Sequence, residues 1–142
     1  MVSTLLGSCV AVTMWSERMR VGGMCHIVLP GGDCNRLVDD TRYAVGAISR
    51  FVSSVKKQGL LTEEIRVGVF GGGQMLLPQN RSSQLSIGEK NIAQTEACLE
   101  REGFDVQHRE VGGYLYRNLT LDLNTGSVGM HRKQFAPPAL LA

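Results

Sequence analysis

No stretch of this 142-residue sequence approaches the roughly 20 consecutive apolar residues that cross a bilayer as a helix. Nor is there a charge run. Fifteen Lys and Arg are scattered among thirteen Asp and Glu, for a formal net charge of +2, and the basic patch of a nucleic-acid binder is missing. None of the four cysteines, Cys9, Cys25, Cys34 and Cys98, belongs to a Cys-x-x-Cys pair, so a structural zinc site lacks its usual spacing. A chain of this size, 43% apolar, does not need the disulfides that hold small secreted scaffolds together. The first six residues, Met1-Val2-Ser3-Thr4-Leu5-Leu6, lack the basic segment that opens a signal peptide. These absences give the expectation of a soluble cytoplasmic protein with free thiols. Gly71-Gly72-Gly73 is not followed by Gly-Lys-Ser/Thr, so it reads as a tight turn or a close backbone approach, able to line a cleft, rather than as a phosphate loop.

What is present suits one domain with its own core. Val10-Ala11-Val12-Thr13-Met14-Trp15 and the run 21–29 are rich in strand formers. The polar Ser16-Glu17-Arg18-Met19-Arg20 between them makes a hairpin. Residues 39–58 carry Ala44, Ala47, Ile48, Phe51, Val52 and Val55 on one helical face, with Asp39, Asp40 and Thr41 as candidate caps and Gly59 as the stop. Residues 66–70 form a short buried strand, and 78–86 a polar loop. A second helix runs from about 88 to 101 with Gly103 beyond it. Residues 104–111 read as a strand. Leu119, Leu121 and Leu123 alternate with polar residues, and Asn124-Thr125-Gly126 turns the chain back into 127–131. The predicted class is α+β, a single domain over 1–133 with mixed β-sheets covered by helices, followed by a loosely ordered tail, 134–142.

The chemistry lies in Cys9 and His26. Cys9 follows Gly7-Ser8, small residues that let a substrate approach and leave backbone N–H groups to face an oxyanion. A hairpin symmetric about the Glu17–Arg18 bond places His26 directly opposite Cys9 on the same face, with Cβ atoms about 4.5–5.5 Å apart. A histidine there can lower the thiol pKa from its ordinary ~8.5 and activate it. A lone cysteine is more often a small buried hydrophobe, and one register slip would put His26 on the other face. Cys25 and His26 are adjacent, so on a strand they face opposite ways and do not share a metal. His108 and His131 read as surface strand positions. Tyr114 and Tyr116, around Leu115, read as edge packing or a partner contact. A redox sensor built on Cys9 and Cys25 is the third reading, weakened by their spacing.

Leu6-Gly7-Ser8-Cys9-Val10, followed by Gly22-Gly23-Met24-Cys25-His26-Ile27-Val28-Leu29-Pro30, resembles the signature of the CheD chemoreceptor glutamine deamidases. The resemblance continues through Arg42-Tyr43, Val69-Phe70-Gly71-Gly72, Ile87-Gly88-Glu89-Lys90-Asn91, Gly112-Gly113 and Thr125-Gly126. It implies a layered α/β/β/α fold related to bacterial toxin deamidases. It also implies a cysteine-dependent hydrolase that converts glutamines of methyl-accepting chemotaxis receptors to glutamate with release of ammonia. Catalysis would use Cys9, His26 and a hydroxyl six residues before the cysteine, which here is Ser3, with Thr4 the near alternative. No cofactor and no metal are implied. The receptors would be the partners, with a CheC-type phosphatase as a further one, and non-catalytic docking to either is the alternative role. The family pattern also carries one or two further strands before the Cys9 motif.

Overall fold

A computed structural model describes residues 1–31, 39–75 and 85–134. The cysteine at 34, most of the polar loop at 78–86 and all but the first residue of the tail lie outside them.

Among the described residues seven strands form two sheets. β1 (Val2–Leu6), β6 (Leu115–Leu121) and β7 (Val128–Gln134) make an antiparallel sheet of order β1-β6-β7. β2 (Val10–Ser16), β3 (Val21–Ile27), β4 (Ile65–Gly71) and β5 (Val106–Val111) make the second, of order β3-β2-β4-β5. β4 runs antiparallel to β2 and parallel to β5, so this sheet is mixed. α1 (Ala44–Lys57) connects β3 to β4, and α2 (Ile87–Arg101) precedes β5. The α+β reading with mixed sheets and helical cover is what the chain adopts.

β2 shows why the layers stack as they do. It is buried at all seven positions, because it is central and covered on both faces. Its even-numbered side chains, Val10, Val12 and Met14, join a core with Ala44, Ala47, Ile48 and Val55 of α1, Val67 and Val69 of β4, and Leu99 of α2. Its odd-numbered Ala11 faces the other way, into a smaller core with Leu6, Phe70 and Leu119, which fills the space between the sheets. Both helices therefore cover the outer face of the four-stranded sheet, while the three-stranded sheet packs on its inner face. The layer order among the described residues is helices, sheet, sheet, and the second helical layer implied by the resemblance is not among them.

The helix ends carry local explanations. α2 starts at Ser86, whose hydroxyl accepts from the Glu89 N–H at 3.2 Å. α1 starts five residues later than its polar caps suggested. Its N-cap is Tyr43, and Asp40 instead turns its carboxylate onto the Arg42 guanidinium and N–H. Gly59 and Gly103 take left-handed conformations just beyond α1 and α2, where a Cβ would be strained.

Candidate active site

Two strand ends and one glycine-rich turn bring the site together. Cys9 lies immediately before β2, and His26 is next to last in β3. In the ladder His26 pairs with Ala11, and Val10 with Ile27, so the hairpin is offset by two residues from the symmetric register. The turn is Glu17 to Arg20. Ser16, expected in it, ends β2 instead, buried, its hydroxyl accepting from the Met19 N–H at 3.1 Å. A shift of two preserves faces. Cys9 and His26 are thus diagonal neighbours on the inner side of the sheet, a separation of about 7–8 Å or somewhat less between Cβ atoms. Cys9 and Met24 both pack against the inter-sheet core on that side.

The hydroxyl that meets His26 is that of Thr4, whose Oγ1 is 2.7 Å from the imidazole Nδ1. Alternation along β1 decides this. Thr4 and Leu6 point between the sheets, whereas Ser3 and Leu5 are exposed on the outer face. Ser3 is paired with Thr120 across the ladder and is not brought to the imidazole. With Nδ1 engaged by Thr4, Nε2 is the ring nitrogen left for chemistry.

Partial burial sets the resting protonation. It pushes the Cys9 thiol above its ordinary value and holds the His26 imidazole below its own. Both shifts favour the uncharged forms, so the pair as placed rests as neutral thiol and neutral imidazole at pH 7. Cys25, on the opposite face of β3 against the helical core, has its thiol pushed up to about 12 by burial. Cys98 is buried on the inner face of α2.

The loop that carries Cys9 is clamped by main-chain contacts. The Gly72 N–H donates to the Cys9 carbonyl at 2.7 Å, and the Gly73 N–H to the Gly7 carbonyl at 2.8 Å. The triple glycine is a close backbone approach. Gly71 has φ +105°, and a Cβ on it would lie 2.3 Å from the Cys9 carbonyl oxygen. Gly88 at the start of α2 is equally constrained, since a Cβ there would lie 2.4 Å from the carbonyl oxygens of Gly72 and Gly73. Behind the loop, Arg117 is buried and donates to the carbonyls of Gly71 and Gly112 and to Glu110.

Asn91 is the residue that sequence reasoning did not single out. It is completely buried, and its amide nitrogen donates to the Ser8 carbonyl at 3.0 Å and the Val28 carbonyl at 3.2 Å. A signal existed, because Gly88, Asn91, Thr95 and Cys98 recur at inner-face spacing on α2.

A cleft of about 410 Å³ opens beside His26 at the free edge of β3, lined by Met24, Cys25, His26, Thr41, Arg50 and Phe51 among others, with Cys9 and Thr4 outside its lining. Another concavity, about 200 Å³, lies at the far end of the hairpin around Trp15 and Gly22 and holds neither thiol nor imidazole. His108 and His131 are exposed strand residues, the former edge-on to Phe70. Tyr116 lies beside Gly7. Among the described residues no group of His, Cys, Asp and Glu side chains is placed to hold a metal ion, and no helix is long and apolar enough to cross a membrane.

Residues 28–132 match the family described as CheD chemotactic sensory transduction. A "Probable chemoreceptor glutamine deamidase CheD" of Pseudomonas savastanoi pv. phaseolicola is 35% identical over 126 residues, covering 88% of this chain and 71% of the relative. A protein of the same name from Methanococcus maripaludis is 31% identical over 127 residues, covering 89% and 81%. A "Probable chemoreceptor glutamine deamidase CheD 2" of Geobacter sulfurreducens is 34% identical over 131 residues, covering 92% and 79%.

Proposed function

This chain belongs to the CheD family, and from that premise we propose that it is a chemoreceptor glutamine deamidase in which Cys9 is the nucleophile, His26 the acid–base and Thr4 the group that orients it. The observation that carries the assignment is the meeting of three strands: the nucleophile before β2, the imidazole of β3 on the same face, and the Thr4 hydroxyl of β1 on Nδ1.

The neutral resting pair suits this chemistry. With Nδ1–H donating to Thr4 Oγ1, Nε2 has a free lone pair and takes the thiol proton as sulfur attacks the carboxamide carbon of a receptor glutamine. A depressed imidazole pKa keeps that lone pair available at neutral pH. The tetrahedral intermediate carries its negative charge on the former amide oxygen, where backbone N–H groups of the Cys9 loop stabilise it. It collapses as Nε2–H gives its proton to the departing nitrogen, releasing ammonia and leaving a thioester on Cys9. Water, deprotonated by Nε2, then attacks the thioester. Glutamate leaves and the thiol is restored. Thr4 stabilises the imidazolium in both halves and fixes the tautomer, as the third member of a triad does.

The substrate is a chemoreceptor, and the reaction belongs in the cytoplasm, where thiols persist. A CheC-type phosphatase is the further partner proposed. Exposed Leu29 and Ile87, close in sequence to residues of the site, offer apolar contact to either. Co-elution of the two purified proteins tests the phosphatase; separate elution removes it. The function itself is tested by incubating the protein with a purified receptor cytoplasmic fragment and reading peptides by mass spectrometry. Conversion of particular glutamines to glutamate by the native protein and not by Cys9→Ala is the expected result. An unchanged receptor overturns the reading.

A further inference from the structure

We propose that Asn91 is a positioning residue that aims the Cys9 backbone N–H at the oxyanion, an inference resting on the deamidase reading. Both amide hydrogens of Asn91 are used, one on Ser8 O and one on Val28 O. Two carbonyl oxygens demand a donor, so the amide has only one orientation, with Oδ1 turned away and left without a partner. The Ser8–Cys9 peptide is trans, which sets the Cys9 N–H opposite the Ser8 carbonyl. Because that carbonyl points at α2, on the helical side of the sheet, the N–H points away from α2, toward the side where the Cys9 side chain packs. An oxyanion donor must be fixed before charge develops, and the Asn91 amide is what fixes this one.

The second hydrogen bond gives the same amide a second role. The ladder between β2 and β3 ends at Val10 and Ile27. Ser8 and Val28 lie beyond that pair, where no strand hydrogen bonds hold the two segments together. Asn91 bridges them, joining the residue before the nucleophile to the second residue after the base. A buried amide that satisfies two carbonyls while leaving its own oxygen unpaired is costly. The cost falls on the one peptide whose direction the acyl-transfer step depends on.

The test compares the native chain with Asn91→Ala and Asn91→Asp, using a receptor cytoplasmic fragment for deamidation and iodoacetamide for the thiol. Alkylation displaces iodide and forms no oxyanion, so it reports the thiol and imidazole alone. Asn91→Ala is expected to lower the saturated deamidation rate about 10²-fold with KM little changed, while the Cys9 alkylation rate and its pH profile stay close to native. Asn91→Asp is nearly isosteric. Its protonated form can donate to one carbonyl and its ionised form to none, so its rate relative to the native protein is expected to fall as pH rises. Equal losses of alkylation and deamidation in Asn91→Ala, or a pH-independent rate ratio in Asn91→Asp, overturn the inference. A native protein inert toward the fragment overturns the deamidase reading as well. An active native protein beside fully active variants overturns this inference alone.

Discussion

One position separates Ser3 from Thr4, and the two hydroxyls face opposite sides of a sheet. The count of six residues back from Cys9 reaches Ser3, but alternation in β1 puts the imidazole within reach of Thr4. Thr4→Ala is therefore expected to slow deamidation about 10-fold, less than the 10²–10⁴-fold expected for loss of the acid–base in His26→Ala. Ser3→Ala should leave the rate unchanged. Single-turnover assays of the three variants side by side check this, and a dead Ser3→Ala beside an active Thr4→Ala reverses it. Burial also fixes a pH signature. Because the folded imidazole has a depressed pKa, the rate is expected to hold as pH falls to about 6.5 and decline only below it. A decline centred above 6.5 would require an imidazolium held by an anion. Among thiols, half-buried Cys9 should alkylate before Cys25, whose thiol is pushed up to about 12, and before buried Cys98. Peptide mapping after brief iodoacetamide treatment reads the order.

The hairpin shows which part of the site was legible in the sequence and which was not. Its existence followed from two runs of strand formers around a polar centre, and the shared face of Cys9 and His26 followed from parity. The register did not. Ser16 looked like turn material, yet its hydroxyl serves the turn from inside the strand, moving the ladder by two residues. β1 was illegible for a different reason. Leu5 is exposed on the outer face, which blurs the apolar alternation, and its strand pairs with β6, more than a hundred residues away. The glycine turn was read as a close approach, and that is its role, although which backbone it approaches is a tertiary fact. Gly71→Ala would force a Cβ to within 2.3 Å of the Cys9 carbonyl oxygen. The expected outcome is a loss of about 2 kcal/mol in stability, measured by chemical denaturation, together with loss of activity as the Cys9 loop shifts. Native stability in that variant would show the turn to be slack.

The two sheets are held in one orientation by apolar packing and by a buried guanidinium, and the site depends on that orientation because Thr4 belongs to one sheet and His26 to the other. Arg117 reaches from β6 to the Gly71 carbonyl at the end of β4, to the Gly112 carbonyl, and to Glu110 of β5. Arg132 of β7 and Arg117 together hold the Glu110 carboxyl below its ordinary value. Glu110 thus contributes stability that is complete above the ordinary glutamate pKa of about 4.3 and is lost as pH falls through its lower folded value. Arg117→Leu leaves the Gly112 carbonyl and part of the Glu110 carboxylate without their donor, while the Gly71 carbonyl keeps the Gly112 N–H, and is expected to cost about 3 kcal/mol. Thermal unfolding of the purified variant checks it, and an unchanged midpoint would assign the sheet packing to the apolar core alone. The sequence pattern placed the helices and most strands. It could not place Arg117, a charged residue in an alternating strand that reads as solvent-facing until its partners from two other segments, Gly71 and Glu110 to Gly112, are known.

The central claim is covalent: sulfur of Cys9 replaces the amide nitrogen of a receptor glutamine before water replaces sulfur. Acid quenching of a single turnover, followed by mass spectrometry of the digest, tests it directly. The account predicts a transient thioester joining the Cys9 peptide to a receptor peptide that has lost ammonia, absent in Cys9→Ala. It also predicts product glutamate carrying one oxygen from isotopically labelled water. Labelled glutamate formed at the native rate by Cys9→Ala, with no thioester at any time, would contradict it.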